Sequence, residues 1–354
     1  MQQDKRYRSM VALDKRPAAI AICRALLLCF GVMIAEFCVA SNDDWDGFLR
    51  RHVHAEGRVV DDAAGGISHS EGQGFGMFLA VHFDDRRNFD RMWQWTRRNL
   101  MVRGDGLLAW RWTPQDGVTD RNNATDGDIF AAWALIRAAA RWKSTEYRND
   151  GLSLMRTIRE KLVRSTARGP ALLPGMKGFE RNGAQTLNLS YWVFPAFDEF
   201  SRNDNSPVWA ELIQSGYRLL GESRFGRWGL PPDWLRTGER LALPDDREPR
   251  FGYDAVRIPL YLIWNGAGED TVQPFRSFWA YFNGAVFLPS WVNLKDNSVD
   301  SYDTLKGMRA IAMATIAYPD LRGARIPDTD ESQPYYSNVL LLLTKIMLWE
   351  RAKN

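Results

Sequence analysis

Residues 122–142 read NNATDGDIFAAWALIRAAARW, and this stretch carries both a fold signal and part of the candidate chemistry. Ile129, Ala132, Trp133, Ile136 and Ala140 recur at i, i+3, i+4, i+7 and i+11, which predicts an amphipathic helix ending at Trp142. Immediately before it, Asp126 and Asp128 stand one glycine apart, an arrangement common at helix N-caps and in calcium loops. A calcium loop needs further acidic ligands and a Glu at its twelfth position. Ile129 onward supplies none, which argues against calcium.

Outward from this stretch the same period returns. Phe89, Met92, Trp93, Thr96 and Leu100 follow it, as do Leu305, Met308, Ala312, Thr315 and Ile316, and Val339, Leu342, Leu343, Ile346 and Met347. Weaker helical stretches lie near 150–166, 206–221 and 271–283. Gly- and Pro-containing joints separate them, at Gly104-Asp105-Gly106, Arg168-Gly169-Pro170, Gly229-Leu230-Pro231-Pro232 and Tyr318-Pro319. No stretch alternates with period two for long, so any strands are expected as short hairpins inside loops, for example around 107–119. Many helices with no low-complexity linker and no repeat of fixed length predict one all-α domain over 41–354.

Composition narrows the partners. With 46 basic and 43 acidic residues the net charge is only +3, which gives no electrostatic case for nucleic acid. The 15 Trp, 18 Phe and 11 Tyr need either stacking ligands or aromatic layers between helices, and composition alone does not choose. At the N-terminus Lys5, Arg6, Arg8, Lys15 and Arg16 precede the apolar run Ala25–Ala35, which is of signal-peptide length and too short to span a bilayer. Cys38-Val39-Ala40 offers small residues for cleavage, so residues 1–40 are expected to be a signal peptide and the mature chain to begin near Ser41. An uncleaved membrane anchor is the alternative. Cys23, Cys29 and Cys38 all fall in this segment, leaving a thiol-free mature chain suited to the periplasm or the exterior, without disulfides or thiolate metal sites.

Two further clusters carry carboxylates. In His69-Ser70-Glu71-Gly72-Gln73-Gly74-Phe75-Gly76-Met77, Ser70 and Gln73 fit a capping box, which places Glu71 in a first helical turn. Glu71 there either complements the helix dipole or serves a site; glycines at 72, 74 and 76 cost helix stability and suit a close approach to the backbone. A helix N-terminus lowers a carboxyl pKa, whereas a general acid needs it raised, so burial or a neighbouring carboxylate must outweigh the dipole. Asp126 or Asp128 would supply that like charge. In Gly252-Tyr253-Asp254-Ala255-Val256-Arg257-Ile258-Pro259, Asp254 and Arg257 are three apart and share a helical face. Arg257 is expected to hold Asp254 ionised, as a base requires; the alternative is a surface ion pair of little consequence. His52, His54 and His82 suggest no metal site.

Taken together, the three clusters resemble glycoside hydrolase family 8. The Ser-Glu-Gly-Gln string at 70–73 with Gly76-Met77 resembles the segment carrying that family's proton donor. Ala124-Thr125-Asp126-Gly127-Asp128 resembles its Ala-Ser/Thr-Asp-Gly-Asp motif, and Tyr253-Asp254-Ala255 with Arg257 and Pro259 resembles the segment of its base. Within the family the likeness runs to the periplasmic endoglucanases encoded beside bacterial cellulose synthases. The resemblance implies an (α/α)6 barrel of six inner and six outer helices around an open cleft, and an endo-β-1,4-glucanase that inverts configuration without a cofactor. It implies Glu71 as general acid, Asp254 as base, and Asp126 as the residue at the cleavage point that supports protonation of Glu71. Trp110, Trp112, Asp128, Tyr191, Arg257, Tyr335 and Tyr336 are the candidate substrate-binding residues. A β-1,4-glucan is the expected ligand, a cellulose synthase complex a candidate partner, and a monomer the expected state. Xylan or chitosan as substrate, or a non-catalytic role in binding exported glycan, are the competing readings.

Overall fold

The computed structural model describes residues 40–285 and 287–353, and in it the predicted periodicities become eleven α-helices among the described residues. The proposed signal peptide, with its three cysteines, lies outside the described residues apart from Ala40. In chain order the helices are α1 (Asn42–His52), α2 (Ser70–His82), α3 (Arg86–Asn99), α4 (Thr125–Trp142), α5 (Thr145–Leu162) and α6 (Phe194–Asn203). They continue with α7 (Val208–Glu222), α8 (Arg257–Trp264), α9 (Glu269–Phe282), α10 (Lys306–Ala317) and α11 (Tyr335–Arg351). Contacts run α2 to α4, α4 to α6, α6 to α8, α8 to α10, α10 to α11 and α11 back to α2, closing an inner ring of six. The remaining described helices back it: α1 on α11, α3 on α2, α5 on α4, α7 on α6 and α9 on α8. This is the (α/α)6 barrel architecture.

The two kinds of helix differ in sequence for a physical reason. An outer helix has one dry face, so α3 buries Phe89, Met92, Trp93, Trp95 and Thr96 and exposes its arginines. An inner helix is enclosed on nearly every side. From Thr125 to Ile136 every residue of α4 is buried, as is every residue of α8. The amphipathic reading of 129–140 therefore needs correction: Ala140 is exposed and belongs to the solvent end of an otherwise enclosed helix. Among the weaker stretches, the one near 150–166 ends early. Residues Val163–Thr166 leave the helix as β4 and pair antiparallel with Gly169–Leu172, β5.

The expected hairpin near 107–119 is present as β2 (Arg111–Thr113) and β3 (Gly117–Asp120). A two-residue strand, β1 (Ser68–His69), adds to its other edge, with Ser68 opposite Trp112 and His69 opposite Arg111. Ser70 N donates to Trp110 O at 3.0 Å, so the entry into α2 is tied to this sheet. The other strands are similarly short and sit in loops.

Close packing of α2 explains two of the glycines around Glu71, Gly74 against α4 and Gly76 against Val59, and one on α4 itself. A Cβ on Gly74 would stand 2.7 Å from Phe130 Cβ, and one on Gly76 2.8 Å from Val59 Cγ2. A Cβ on Gly127 would meet Ser70 Oγ at 2.3 Å and Glu71 N at 2.6 Å. The neighbour at Gly127 is backbone, which does not swing aside. Gly127→Ala is therefore expected to cost about 3 kcal/mol or more, at the upper end of overpacking changes. Urea unfolding measures this, and a cost indistinguishable from zero would disprove the contact.

Candidate active site

Three chain segments far apart in sequence converge on one buried guanidinium. Arg257, at the start of α8, is 1% exposed. Its Nη1 donates to Glu71 Oε2 and, at 3.2 Å, to Asp126 Oδ2. Its Nη2 donates to Ser190 Oγ at 3.0 Å and to Asp254 Oδ1 at 3.2 Å. Glu71 comes from the first turn of α2 and Asp126 from that of α4. Asp254 sits in the turn before α8, and Ser190 in the 3-10 turn Leu189–Tyr191. Exposure is graded across the three carboxylate side chains: 32% for Asp254, 18% for Glu71 and 2% for Asp126. The site thus opens on the Asp254 side.

The N-terminus of α2 is built differently from the expected capping box. His69 is the N-cap, its Nδ1 accepting from Gly72 N at 3.0 Å, while its Nε2 lies 3.4 Å from Asp61 Oδ2. Ser70 is inside the helix, and its hydroxyl has no hydrogen-bond partner among the described residues. Gln73 turns away from the cap. Its Oε1 accepts from Val59 N at 2.6 Å, and its Nε2 reaches Thr96 Oγ1 at 2.9 Å, tying α2 to α3. Short β1 pairing fixes His69 one residue nearer the helix than the motif alone suggests. At α4 neither carboxylate caps: Ala124 is the N-cap and makes no side-chain cap bond.

Electrostatics divide the carboxylates. Burial works against ionising Glu71, but Arg257, the hydrogen bond with Asp126 and nearby His69 hold it at about 2. Burial, then the charge of Glu71, lift Asp126 well above the usual range, with Arg257 opposing. The pair keeps one proton, and in the free site that proton rests on Asp126. The expectation that Asp126 would keep Glu71 protonated is reversed here because the guanidinium lies closer to Glu71 and Asp126 is the drier of the two. Asp254 is pushed up to about 7 by burial and then by Asp233, against Arg257. Arg257 alone does not hold it ionised, since it shares its charge among three carboxylates.

The candidate substrate-binding residues separate. Tyr191 is partly exposed, with Arg257 Cζ 5.7 Å from its ring centre. Tyr336 is partly exposed, and its hydroxyl donates to the carbonyl of Tyr253 beside Asp254. Trp110 keeps a partly exposed ring next to the α2 entry. Trp112 packs edge-on against Trp95 at 5.2 Å and has Arg58 5.1 Å from its ring centre, so its ring surface is partly taken.

Three candidates are corrected. Tyr335 is 1% exposed and lies edge-on to His69 at 5.6 Å, so it is core beneath the helix cap and not a platform. Asp128 is fully buried; its two oxygens accept from Leu108 N at 2.9 Å and Asn123 Nδ2 at 2.8 Å, which leaves nothing for a sugar. Burial pushes its carboxyl up to about 7 in spite of those bonds. Arg257 is enclosed by its own acceptors and organises the carboxylates without a face toward a ligand. Asp233 and Trp234, which follow the Pro231-Pro232 joint without a motif of their own, also belong here. Trp234 stacks on Phe179 at 5.8 Å and meets Tyr191 edge-on at 6.5 Å.

Carboxyl groups of unlike proton affinity gathered at an open site are what hydrolysis of a glycosidic bond requires. Residues 18–352 match the model for glycosyl hydrolases family 8, and the chain belongs to that family. A probable endoglucanase of Novacetimonas hansenii is 38% identical over 313 residues, covering 87% of this chain and 90% of that protein. Among solved structures, endoglucanase Cel10 from Klebsiella pneumoniae, a family 8 glycosyl hydrolase, superposes with a TM-score of 0.82 at 33% identity, covering 87% of this chain and 99% of that one. The endo-β-1,4-glucanase CMCax from Acetobacter xylinum gives 0.79 at 34% identity, over 90% and 99%. Among the described residues no group of three or more His, Cys, Asp or Glu is placed to hold a metal ion, and no helix is long and apolar enough to cross a membrane.

Proposed function

We propose that the protein is an endo-β-1,4-glucanase that hydrolyses internal bonds of cellulose-type glucans with inversion, Glu71 acting as general acid and Asp254 as base. The observation that carries this reading is the single guanidinium of Arg257 between Glu71 and Asp254, with Asp126 against Glu71. Two carboxylates bridged through opposite nitrogens of one guanidinium can stand up to about 8 Å apart, which suits a separation of about 6.5–9.5 Å with a water between them. Asp126, raised by burial and by the Glu71 charge, holds the shared proton before substrate binds. A sugar seated against Glu71 weakens the hold on the Glu71 anion, and the proton passes to Glu71 for delivery to the departing glycosidic oxygen. Asp254, titrating near neutrality, removes a proton from the attacking water on the other face of the sugar. Tyr191, Trp110 and Tyr336 are placed to contact the glucan.

The relatives' names point to the same polymer, and the near balance of 46 basic and 43 acidic residues suits a neutral glucan better than cationic chitosan. The basic and apolar N-terminal segment supports export to the periplasm or the exterior, where a monomer working beside a cellulose synthase complex is the proposed setting. The test is viscometry of carboxymethylcellulose with purified protein, alongside reducing-sugar assays on xylan and chitosan. Viscosity is expected to fall well before reducing ends accumulate. Unchanged viscosity across acidic and neutral pH would remove the glucanase reading, with xylan or chitosan turnover naming the substitute and binding without products naming a glycan-binding protein.

A further inference from the structure

Asp233 is 3% exposed and lies outside every motif described above, yet it holds the turn that presents Asp254. Its Oδ1 accepts from Gly252 N and from Ala255 N, both at 2.9 Å, so one oxygen clamps the two residues that flank Tyr253-Asp254. Its Oδ2 receives Arg250 Nε at 3.1 Å, and its own N–H donates to Arg250 O at 2.7 Å. A Cβ on Gly252 would stand 3.1 Å from Asp233 Oδ2, so the glycine leaves room for this carboxylate. The turn is then locked onward into α8 by Val256 N to Gly252 O at 2.9 Å.

We infer that Asp233 is a positioning residue for hydrolysis, fixing the Asp254 turn through its backbone and setting the proton affinity of Asp254 through its charge. The inference rests on the reading of Asp254 as the base. Burial raises the Asp233 carboxyl as well, but three donors hold its anion, whereas Asp254 has one arm of Arg257, so Asp254 is the member that takes up a proton near neutrality. The other groups facing Asp254 are Glu71 from α2, Asp126 from α4, Tyr191 from the 3-10 turn, Arg257 from α8 and Tyr336 from α11. None of them contacts Asp233 through a hydrogen bond among the described residues, so its charge can be altered separately. Arg250, whose side chain is 35% exposed, faces Asp233 and partly screens it.

The sign follows. A base works only when ionised, so kcat/KM falls as pH drops through the Asp254 pKa. Asp233→Asn keeps an oxygen for the two backbone N–H groups and removes the negative charge; the acid limb of the kcat/KM profile is expected to move down by about one pH unit or more. Arg250→Gln leaves Asp233 less screened, and the limb is expected to move up. Asp233→Ala also frees the turn, and kcat is expected to fall by about tenfold or more while KM changes little. Circular dichroism and melting curves accompany each variant, and if Asp233→Asn does not fold, the upward shift in Arg250→Gln carries the test alone. Acid limbs of the folded variants that coincide with the parent's, while Asp254→Asn is inactive, overturn this inference alone. Parent-like turnover by Asp254→Asn overturns the base assignment and this inference with it.

Discussion

Glu71→Gln is expected to lower kcat on cellulose-type substrates by about 10²–10⁴-fold, the usual range for removing a general acid. The amide keeps the size of the carboxyl and still offers its oxygen to Arg257, but it cannot give a proton to a departing sugar hydroxyl. Removing the Glu71 charge also leaves Arg257 to Asp126 and Asp254, so Asp126 ionises more readily and no proton remains stored in the pair. Affinity for cello-oligosaccharides should change little, because the ring contacts proposed for Tyr191, Trp110 and Tyr336 are untouched. An aryl cellobioside with an acidic phenol as leaving group needs little protonation and should lose much less rate than the polymer. Initial rates on both substrates, with binding measured by titration calorimetry, make the comparison. Equal losses on the two substrates, or a loss below tenfold on the polymer, would remove Glu71 from the acid's role.

Arg257→Met is expected to destabilise the fold by about 3–5 kcal/mol, the cost of breaking a buried ion pair by deleting one partner. The loss is large because Glu71, Asp126 and Asp254 would remain together with no cation among them. Its pH dependence has a defined sign. In the parent the folded Glu71 pKa lies at about 2, below the ordinary 4.5, so its contribution is present at neutral pH and fades as pH falls through that value. Without the guanidinium, burial and mutual repulsion raise the folded carboxyl pKa values above their unfolded ones, so the variant loses stability as pH rises through them. Urea unfolding of both proteins at mildly acidic and mildly alkaline pH should give a difference that widens upward. A difference as small as that of an exposed pair, about 0–1 kcal/mol, and flat with pH, would contradict the organising role. Activity is expected to vanish in either case, since two of the proposed catalytic carboxylates lose their common anchor.

What the amino-acid sequence determined by itself was whatever repeats locally. The 3.6-residue spacing around Phe89, Ile129 and Val339 marked α3, α4 and α11, because a helix buries a side chain at regular intervals wherever it later packs. The hairpin near 107–119 was visible for the same local reason. The order of the Glu71, Asp126 and Asp254 segments was enough to indicate the family and, with it, the barrel. Tertiary structure alone decided how those residues are used, since Arg257 meets partners 186 and 131 residues away and no spacing rule reaches that far. It chose His69 over Ser70 as the cap through strand pairing with Arg111, and turned Gly74 and Gly127 into points of helix contact. It also enclosed Asp128 and Tyr335, which stand as candidate substrate-binding residues when seen only beside their neighbours in the chain. Burial and charge are sums over everything that packs nearby, so the side of the Glu71–Asp126 pair that keeps the proton is settled by the assembled barrel.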